Sequence, residues 1–243
     1  MIGQVLGGRL KCLYSVRIEN SLDFPFLSVE IGNSSHTHFN EILMNSRRQS
    51  VAIMGGAFDP VHRGHLSLAE DAYTELSFNE VWFVPTAESP LKGHAASLNN
   101  QGRIELLEAA LEPYPYFKIN ISEIECGGVS YTIDSARRFR AIYPDIDFSW
   151  IIGGDQLMQL DKWKNIEELV QLVSFVLISR PGYGIDSSQI PAIPDLRFLE
   201  VRSRWLDIAS SEIRKRLAAG KPVNDLLPPA VNDLIVKRNF YFE

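Results

Sequence analysis

Short apolar runs alternate with longer amphipathic stretches from Val51 onward. Between the runs, side chains that suit one helix face recur at spacings of three and four residues. These positions are Leu66, Ala69, Tyr73 and Leu76, then Ile104, Leu107 and Leu111, then Ile133, Ala136 and Arg137. The runs are VAIMG from 51, EVWFVPT from 80, FKINISEIE from 117, DFSWIIGG from 147, SFVLISR from 174 and RFLEVR from 197. Strands that alternate with helices in this way predict βαβ units.

The βαβ units predict an α/β fold, a doubly wound (Rossmann-like) parallel sheet with helices on both faces. Parallel strands need crossover connections, and these are right-handed in nearly all proteins. Ligands of such sheets bind beyond the carboxyl ends of the strands. The loops that should form a site are therefore 55–65, 85–92 and 153–155, with the segment before Arg214.

The segment SSHTHFNEILMNSRRQS before the first predicted strand is polar and has no sustained period. We therefore predict an N-terminal extension of uncertain structure over residues 1–49 and one domain over 50–243. The extension is an ordered segment, a tail, or sequence upstream of a true start at Met44. Its His36 and His38 are interpreted as surface residues in preference to metal ligands.

Composition narrows the class of protein. The chain has 243 residues, 45% of them hydrophobic and 22% charged, with a formal net charge of -6. These are values of a globular domain, and the negative charge argues against nucleic acid or an anionic membrane as a partner. No apolar run is long enough to span a bilayer. Cys12 and Cys126 lack ligand spacing, which favours reduced thiols in a cytoplasmic protein.

The stretch VAIMGGAFDPVHRGH places a glycine pair at the end of the first predicted strand. Gly55 and Gly56 allow a sharp turn and a close approach of a ligand to the backbone. The helix that follows offers free N–H groups at its positive end, and these suit a phosphate. His62 and His65, one turn apart, can face the same bound group. Their spacing also permits zinc, but no internal Glu and no third ligand accompany it.

GGAFDPVHRGH resembles the (H/T)xGH signature of the adenylyltransferase and cytidylyltransferase superfamily. IASSEIRKRL at 208–217 resembles the ISSTxIR motif of the same superfamily. Two residues depart from that motif, because Ala209 stands where Ser is usual and Ser211 where Thr is usual. The first departure removes one hydroxyl that could bind phosphate, whereas the second keeps it.

The second motif also predicts the start of a helix. Ser210 or Ser211 is the expected N-cap. Arg214, Lys215 and Arg216 would then lie in the first turn, where the helix dipole disfavours positive charge. A bound anion would remove this penalty, and a solvated basic face balanced by a neighbouring Glu is the alternative.

Most of residues 51–241 resembles the bacterial nicotinate mononucleotide adenylyltransferase family. The matching segments are FVPTAESPLKGH, RIELLEAAL, SYTIDSARRF, FSWIIGGDQLMQLDKWKNIEELV, VLISRPGY and LLPPAVNDLI. The family loop more often reads Pro-His-Lys, so Leu91 departs from it and Lys92 is the expected cation. The resemblance implies transfer of AMP from ATP to nicotinate mononucleotide, which yields nicotinate adenine dinucleotide and pyrophosphate in NAD biosynthesis.

The resemblance further implies the residues that handle ATP. The catalytic residues would be His62 and His65 at the α-phosphate, Lys92 on the phosphates, and Arg214 at the β- and γ-phosphates. Mg²⁺ would enter with ATP, held by phosphate oxygens and water without a protein metal cage. The full ATP-binding set would be Gly55, Gly56, Ala57, Phe58, His62, His65, Gly153, Asp155, Ser210, Ser211 and Arg214.

Five residues are predicted to bind the mononucleotide. Tyr131 and Thr132 begin a helix after a glycine pair, so their N–H groups can bind a pyridine carboxylate, with an ordinary helix cap as the equal alternative. Asp155 at a strand end can accept hydrogen bonds from ribose hydroxyls. Trp163 can stack on the pyridine ring or serve as a core residue. Lys92 completes the set.

Several other functions compete with this one. Phosphopantetheine adenylyltransferase and an enzyme that accepts nicotinamide mononucleotide belong to the same superfamily. HRGH also resembles a signature of class I aminoacyl-tRNA synthetases, but a Lys-Met-Ser-Lys-Ser loop is absent from the sequence. A nucleotide sensor without turnover is the alternative of a different class. The sequence does not separate acid from amide substrates, and it permits a homo-oligomer.

Overall fold

A single sheet of parallel strands organises the part of the chain that the computed structural model describes, residues 48–89, 96–179, 190–203 and 208–242. The strands are β1 (Gln49–Gly56), β2 (Glu80–Pro85), β3 (Phe117–Ile119), β4 (Ile146–Gly153), β5 (Ser174–Ser179) and β6 (Phe198–Arg202). They lie in the order β3-β2-β1-β4-β5-β6, and every neighbouring pair is parallel. This order is that of a doubly wound sheet, so the predicted fold class is confirmed.

Helices cover both faces of this sheet. They are α1 (Arg63–Leu76), α2 (Asn100–Leu111), α3 (Ser122–Cys126), α4 (Thr132–Ile142), α5 (Gly154–Leu157), α6 (Ile166–Leu172), α7 (Ser210–Ala218) and α8 (Pro229–Arg238), with a 3-10 turn at Leu160–Lys162. Buried side chains of α1, α2, α7 and α8 belong to one core. Those of α4 and α6 belong to a second core on the opposite face.

Alternation along β1 divides the two cores. Ala52 and Met54 pack into the core of α1 and α2, whereas Val51 and Ile53 pack into that of α4 and α6. Since helices bury both faces, the central strands need apolar residues at nearly every position. This requirement explains why their sequences are continuous apolar runs, without the alternation of polar and apolar residues seen in half-exposed strands.

One predicted strand is wrong in part. The run FKINISEIE was expected to be extended throughout, but β3 ends at Ile119 and the short helix α3 follows. The Asn120 side chain accepts a hydrogen bond from the backbone N–H of Ser122 at 3.1 Å, which turns the chain. The helical geometry buries Glu123, which accepts a hydrogen bond from the hydroxyl of Ser135. Apolar spacing alone did not distinguish this turn from a longer strand.

The strand order also creates the place for a site. The chain leaves β1 toward β2 on one side, and it later returns to place β4 on the other side. Between the diverging connections a crevice opens at the carboxyl end of β1. The loop after β1 therefore lies at the mouth of this crevice, as the sequence predicted.

Some predictions fall on residues that lie outside the described ranges. These are Leu91, Lys92, His36, His38, Cys12 and the extension as far as residue 47. The division into 1–49 and 50–243 stays a prediction, although β1 begins at Gln49. Among the helices described, none is both long and apolar enough to cross a membrane.

Candidate active site

A cavity of about 400 Å³ opens at the carboxyl ends of β1, β2 and β4. This volume suits a small-molecule ligand. Two groups of lining residues matter most. The β1 group comprises residues 55–59, His65, Ser210 and Arg214, and the α4 group comprises residues 130–133 and 162–164. Further lining residues are Thr86, Ala87, Ser89, Ala96, Ser97, Glu123, Trp150 and Gln156.

The glycine turn after β1 brings the backbone to the cavity. The backbone N–H of Thr86 donates to the carbonyl of Gly56 at 2.9 Å, which ties the turn to the end of β2. A Cβ on Gly56 would lie 3.3 Å from the ring of Phe58, so the turn has little room for a side chain there. Phe58 is buried and meets the ring of His65 edge to face at 5.0 Å. The buried Phe58 ring thus supports one side of the His65 ring.

The two motif histidines cap α1 reciprocally. His62 is the N-cap, and its Nδ1 accepts from the backbone N–H of His65 at 3.4 Å. The Nδ1 of His65 accepts from the backbone N–H of His62 at 3.3 Å. Because both Nδ1 atoms are acceptors, each neutral ring carries its proton on Nε2. The rings stack with centroids 3.7 Å apart and planes inclined by 22°.

The glycine between the histidines has a steric role that the sequence did not reveal. A Cβ on Gly64 would approach Nδ1 of the His62 ring to 3.0 Å. A side chain at this position would displace the ring from its stack with His65. The spacing His-x-Gly-His therefore permits the reciprocal cap as well as the helical register.

The structure separates the two histidines by environment. His65 lines the cavity, whereas His62 is 5% exposed and is not among the lining residues. Burial lowers the pKa of His62 from 6.5 to about 4. At neutral pH His62 is therefore uncharged, and its contribution is to hold His65 and the first turn of α1.

A buried carboxylate gathers four distant parts of the chain. Asp59 is 4% exposed and accepts from the backbone N–H groups of Ser97 at 2.7 Å and Leu98 at 3.1 Å. The hydroxyl of Tyr241 donates to its Oδ1 at 2.8 Å. Arg214 lies with Nη1 3.6 Å from Oδ2 and donates to the Asp59 carbonyl at 2.6 Å. We call these five residues the Asp59 cluster.

The last member of the Asp59 cluster lies near the C-terminus. The pKa of Tyr241 is raised, first by burial and then by the charge of Asp59 and the hydrogen bond to it. The phenol is therefore a fixed donor at any ordinary pH. The sequence marked Asp59 only as part of a turn and did not point to Tyr241, because their separation along the chain hides the contact.

A fully buried arginine holds the turn from the other side. Arg103 on α2 is 0% exposed and donates to the carbonyl of Ala57 at 2.7 Å and that of Thr86 at 2.8 Å. It also donates to the side chain of Asn100 at 2.7 Å. Burial lowers its pKa and the nearby Asp59 opposes that change. The guanidinium thus ties the ends of β1 and β2 together at the cavity.

The predicted N-cap of the second motif is wrong. Helix α7 begins at Ser210 with Ala209 as its N-cap, and no side chain caps it. The hydroxyl of Ser210 donates to the carbonyl of Pro60 at 2.9 Å, so it fastens the helix to the loop after β1. Ser211 is exposed and does not line the cavity. The Ser210 hydroxyl bonds to a loop that is distant along the chain, and the local sequence does not show such a contact.

The predicted positive first turn of α7 is also wrong. Arg214 is the fifth residue of the helix, and Lys215 and Arg216 lie in its last turn. The first turn contains Glu212, so the charges complement the helix dipole without a bound anion. Arg214 nevertheless lines the cavity because of its contact with Asp59.

The α4 group forms around the N-terminus of a helix, as predicted. Tyr131 is the N-cap of α4 and Thr132 is its first residue, and the glycine pair before them adopts positive φ values of 66° and 71°. The first N–H groups of any helix have no partner within it. Trp163 lines the cavity and also packs on the adjacent core, edge to face with Phe175 at 6.4 Å. Trp163 is therefore a core residue that also faces the cavity, and its stacking on a pyridine ring stays a prediction.

A buried carboxyl group stands beside α4. Glu123 lines the cavity, and its pKa is raised by burial, an effect that hydrogen bonds from Ser135 and Ser130 oppose. The Ser130 hydroxyl in turn accepts from the backbone N–H of Ala87 at 3.0 Å. These contacts join α3, α4 and the end of β2. No motif in the sequence marks Glu123 as a site residue.

The predicted residues do not all reach the cavity. Gly153 ends β4 and Asp155 is exposed on α5, and neither is among the lining residues. Gln156, Trp150 and Lys164 line it instead, and sequence reasoning did not select them. Their types carry no distinctive motif, so only their position beside the predicted loops could have indicated them.

Within the described ranges, no group of three or more His, Cys, Asp or Glu residues could hold a metal ion. The zinc alternative for the histidine pair has a further difficulty, because the Nδ1 atoms of His62 and His65 both serve as caps. Asp59 accepts hydrogen bonds from two N–H groups and one phenol.

Comparison with known proteins adds the family context. A family model described as cytidylyltransferase-like matches residues 53–216. A probable nicotinate-nucleotide adenylyltransferase of Shouchella clausii is 41% identical over 191 residues, which cover 79% of this chain and 96% of that protein. A protein of the same name from Herpetosiphon aurantiacus is 37% identical over 196 residues, which cover 79% of this chain and 98% of that protein.

A solved structure shares the fold. Plasmodium falciparum nicotinic acid mononucleotide adenylyltransferase complexed with NaAD matches with a TM-score of 0.64 and 23% identity. The match covers 79% of this chain and 97% of that chain. At this identity the likeness concerns the doubly wound architecture.

Acidification should destabilise the protein through His62. Its pKa is 6.5 when unfolded and about 4 when folded, so the unfolded chain binds the proton first as the pH falls. The stabilisation is complete above about pH 6.5 and is lost toward about pH 4, a change of about 3 kcal/mol. Urea unfolding of the wild type and of His62→Asn at each pH measures this contribution to the free energy of unfolding. The His62→Asn variant keeps a good N-cap. A difference between the two proteins that stays constant over this range would contradict a buried neutral His62.

Replacing Arg103 by Met should lower the free energy of unfolding by about 2–4 kcal/mol, because two buried carbonyls would lose their donors. Arg140→Met is the matched control. Arg140 also donates to two carbonyls, of Leu172 and Ile146, but its side chain is 27% exposed. Water can replace it there, so its loss should be below about 1.5 kcal/mol. Equal losses of unfolding free energy in the two variants would show that Arg103 contributes no more to stability than the partly exposed Arg140.

Proposed function

The chain belongs to the cytidylyltransferase-like family and, within it, to the nicotinate-nucleotide adenylyltransferases, and on this premise we propose its reaction and the roles of its residues. It transfers the AMP group of ATP to nicotinate mononucleotide, with nicotinate adenine dinucleotide and pyrophosphate as products. The observation that carries the proposal is the shared cavity. The β1 group supplies donors suited to phosphates, and the α4 group supplies an aromatic surface and a helix N-terminus.

The reaction requires one bond to form and one to break at the same phosphorus. An oxygen of the 5′-phosphate of the mononucleotide attacks the α-phosphorus of ATP in line. The bond from that phosphorus to the bridging oxygen breaks, and its electrons leave with pyrophosphate. Such transfers depend on positioning and on neutralisation of charge, with no need for a protein nucleophile.

The β1 group would stabilise the phosphates. His65 can donate from Nε2 to the α-phosphate, since its Nδ1 is engaged in the cap of α1. Arg214 is held at the cavity through Asp59 and would contact the β- and γ-phosphates. The glycine turn would admit the nucleotide close to the backbone. Lys92 is proposed as a further phosphate contact, on the family resemblance alone.

His62 is proposed to act through His65. It is buried and neutral, and its ring stacks on that of His65. Its role in the predicted catalytic set is therefore that of a positioning residue. This arrangement keeps the rotamer of His65 constant before ATP arrives, which lowers the cost of organising the site.

The α4 group would bind the acceptor nucleotide. The free N–H groups at the start of α4, near Tyr131 and Thr132, would receive the pyridine carboxylate. Trp163 would stack on the pyridine ring. Asp155, after the end of β4, stays a proposed partner of the ribose hydroxyls, together with the backbone at Gly153.

ATP would be used as its magnesium complex. Mg²⁺ is bound in such substrates mainly by phosphate oxygens and water. When bound, the ion neutralises charge on the leaving pyrophosphate. Within the protein, Arg214 and His65 would hold the phosphates that carry it. Use of ATP also supports the predicted cytoplasmic location.

The direct test is pyrophosphate release from ATP and Mg²⁺, with nicotinate mononucleotide, nicotinamide mononucleotide or phosphopantetheine as acceptor. The wild type should react fastest with the nicotinate substrate. His65→Ala and His65→Asn should both lose about 10²–10³-fold in kcat, because each removes the Nε2 donor. His65→Asn retains an acceptor for the N–H of His62, so its free energy of unfolding should stay near that of the wild type.

Three outcomes would contradict parts of this function. Nucleotide binding without pyrophosphate release would favour the sensor. Faster reaction with phosphopantetheine would reassign the acceptor. Full activity of His65→Asn would remove His65 from the reaction.

Tyr241→Phe should raise KM for ATP about 3–10-fold and leave KM for the mononucleotide unchanged. The variant removes the hydrogen bond that Tyr241 donates to Asp59, at a net cost of about 1 kcal/mol. Asp59 then holds Arg214 less firmly at the cavity. Tyr73→Phe is the matched control, because Tyr73 stacks on Tyr116 and does not line the cavity. Steady-state kinetics with each substrate varied in turn measures both constants. An equal change in the two KM values would contradict a link to the phosphate side.

A further inference from the structure

A lysine stands where the acceptor nucleotide is proposed to bind. Lys164 lines the cavity directly after Trp163. Its Nζ lies 4.2 Å from the ring centroid of Tyr131, and 3.0 Å from Oδ2 of Asp134. We propose that Lys164 determines the preference of this site for a pyridine carboxylate over the corresponding amide. The inference rests on the proposed function and deepens it.

The position of Lys164 links it to the start of α4. Tyr131 is the N-cap of that helix, and the ammonium group lies over the Tyr131 ring. A positive side chain and the positive end of a helix therefore occupy the same side of the cavity. A carboxylate bound there gains Coulomb energy from both, whereas a neutral amide gains only hydrogen bonds. The acid and the amide differ by one unit of charge. The lysine and the helix N-terminus together therefore favour the acid.

Asp134 explains how the ammonium is held without a ligand. It lies in the first turn of α4 and pairs with Lys164 through Oδ2. Its other oxygen, Oδ1, lies 3.2 Å from Nη1 of Arg137, and Arg137 also pairs with Glu168. Because Arg137 compensates Asp134, Lys164 can share its charge with a substrate carboxylate and leave no unpaired acid behind. Asp134 is thus a competitor for the same ammonium.

A second lysine provides a control within the same cavity. Lys162 also lines it, from the 3-10 turn before Trp163. It carries the same charge, but the cation-π contact with Tyr131 and the pairing with Asp134 belong to Lys164. A general effect of positive charge on an anionic substrate would affect both positions. A specific effect on the carboxylate should be confined to Lys164.

The experiment compares kcat/KM for nicotinate mononucleotide with kcat/KM for nicotinamide mononucleotide at saturating ATP. The proteins are the full-length wild type, Lys164→Met, Lys164→Arg and Lys162→Met. In Lys164→Met the acid-to-amide ratio should fall about tenfold, through a higher KM for the acid, while the constants for the amide change less than about twofold. A tenfold change corresponds to about 1.4 kcal/mol. Lys164→Arg should keep most of the ratio, and Lys162→Met should change both substrates by the same factor.

Asp134→Asn supplies a prediction of opposite sign. Removing the competing carboxylate should raise the acid-to-amide ratio about twofold to fivefold, because Lys164 is then fully available and one negative charge is gone. A fall in the ratio would contradict the proposed competition. The rise should diminish with added salt, since exposed charges are screened.

The possible failures are distinguishable. A wild type that releases pyrophosphate with neither pyridine nucleotide would overturn the proposed function and this inference with it. An active wild type whose ratio is unchanged in Lys164→Met would overturn only the role of Lys164. Equal losses for acid and amide in Lys164→Met would show that the lysine merely supports Tyr131, which also overturns the inference.

Discussion

The candidate site depends on the compensation of one buried carboxylate. Asp59 lies in the turn after β1, and its oxygens are met by the N–H groups of Ser97 and Leu98, the phenol of Tyr241 and the guanidinium of Arg214. An ionised group taken out of water must find such partners or destabilise the fold. Since these partners come from remote parts of the chain, the turn acquires its shape only when the domain is folded.

The histidine pair is also held in place by hydrogen bonds, in this case between neutral groups. Each Nδ1 caps a backbone N–H of the same helix, and the glycine between them lets one ring stack on the other. Burial keeps His62 uncharged, so the stack avoids repulsion between two cations. His65 is consequently presented to the cavity from a rigid helix N-terminus. Preorganisation of this kind lowers the reorganisation that a reaction on phosphate would otherwise require.

Each of the two groups of lining residues contributes positive charge to the cavity. On the β1 side, positive charge comes from Arg214, which is tied to the Asp59 cluster. On the α4 side it comes from Lys164, whose partner Asp134 is shared with Arg137. Arg214 is fixed by a buried carboxylate, whereas the Lys164 side chain is 43% exposed and can change its partner. A chain with a formal net charge of -6 thus presents a cation on each side of its candidate site, and each of these cations is paired with a carboxylate.

The sequence by itself determined the doubly wound sheet, the loops at its carboxyl edge and the helix starts after both glycine pairs, because period and turn chemistry act over a few neighbouring residues. It did not determine the turn after Ile119, the partner of Ser210 or the environments that separate His62 from His65. The links of Asp59 to Tyr241 and of Arg103 to the glycine turn belong to the tertiary structure alone. Burial and contacts between distant segments decide hydrogen bonding and charge state, and local sequence carries no record of either.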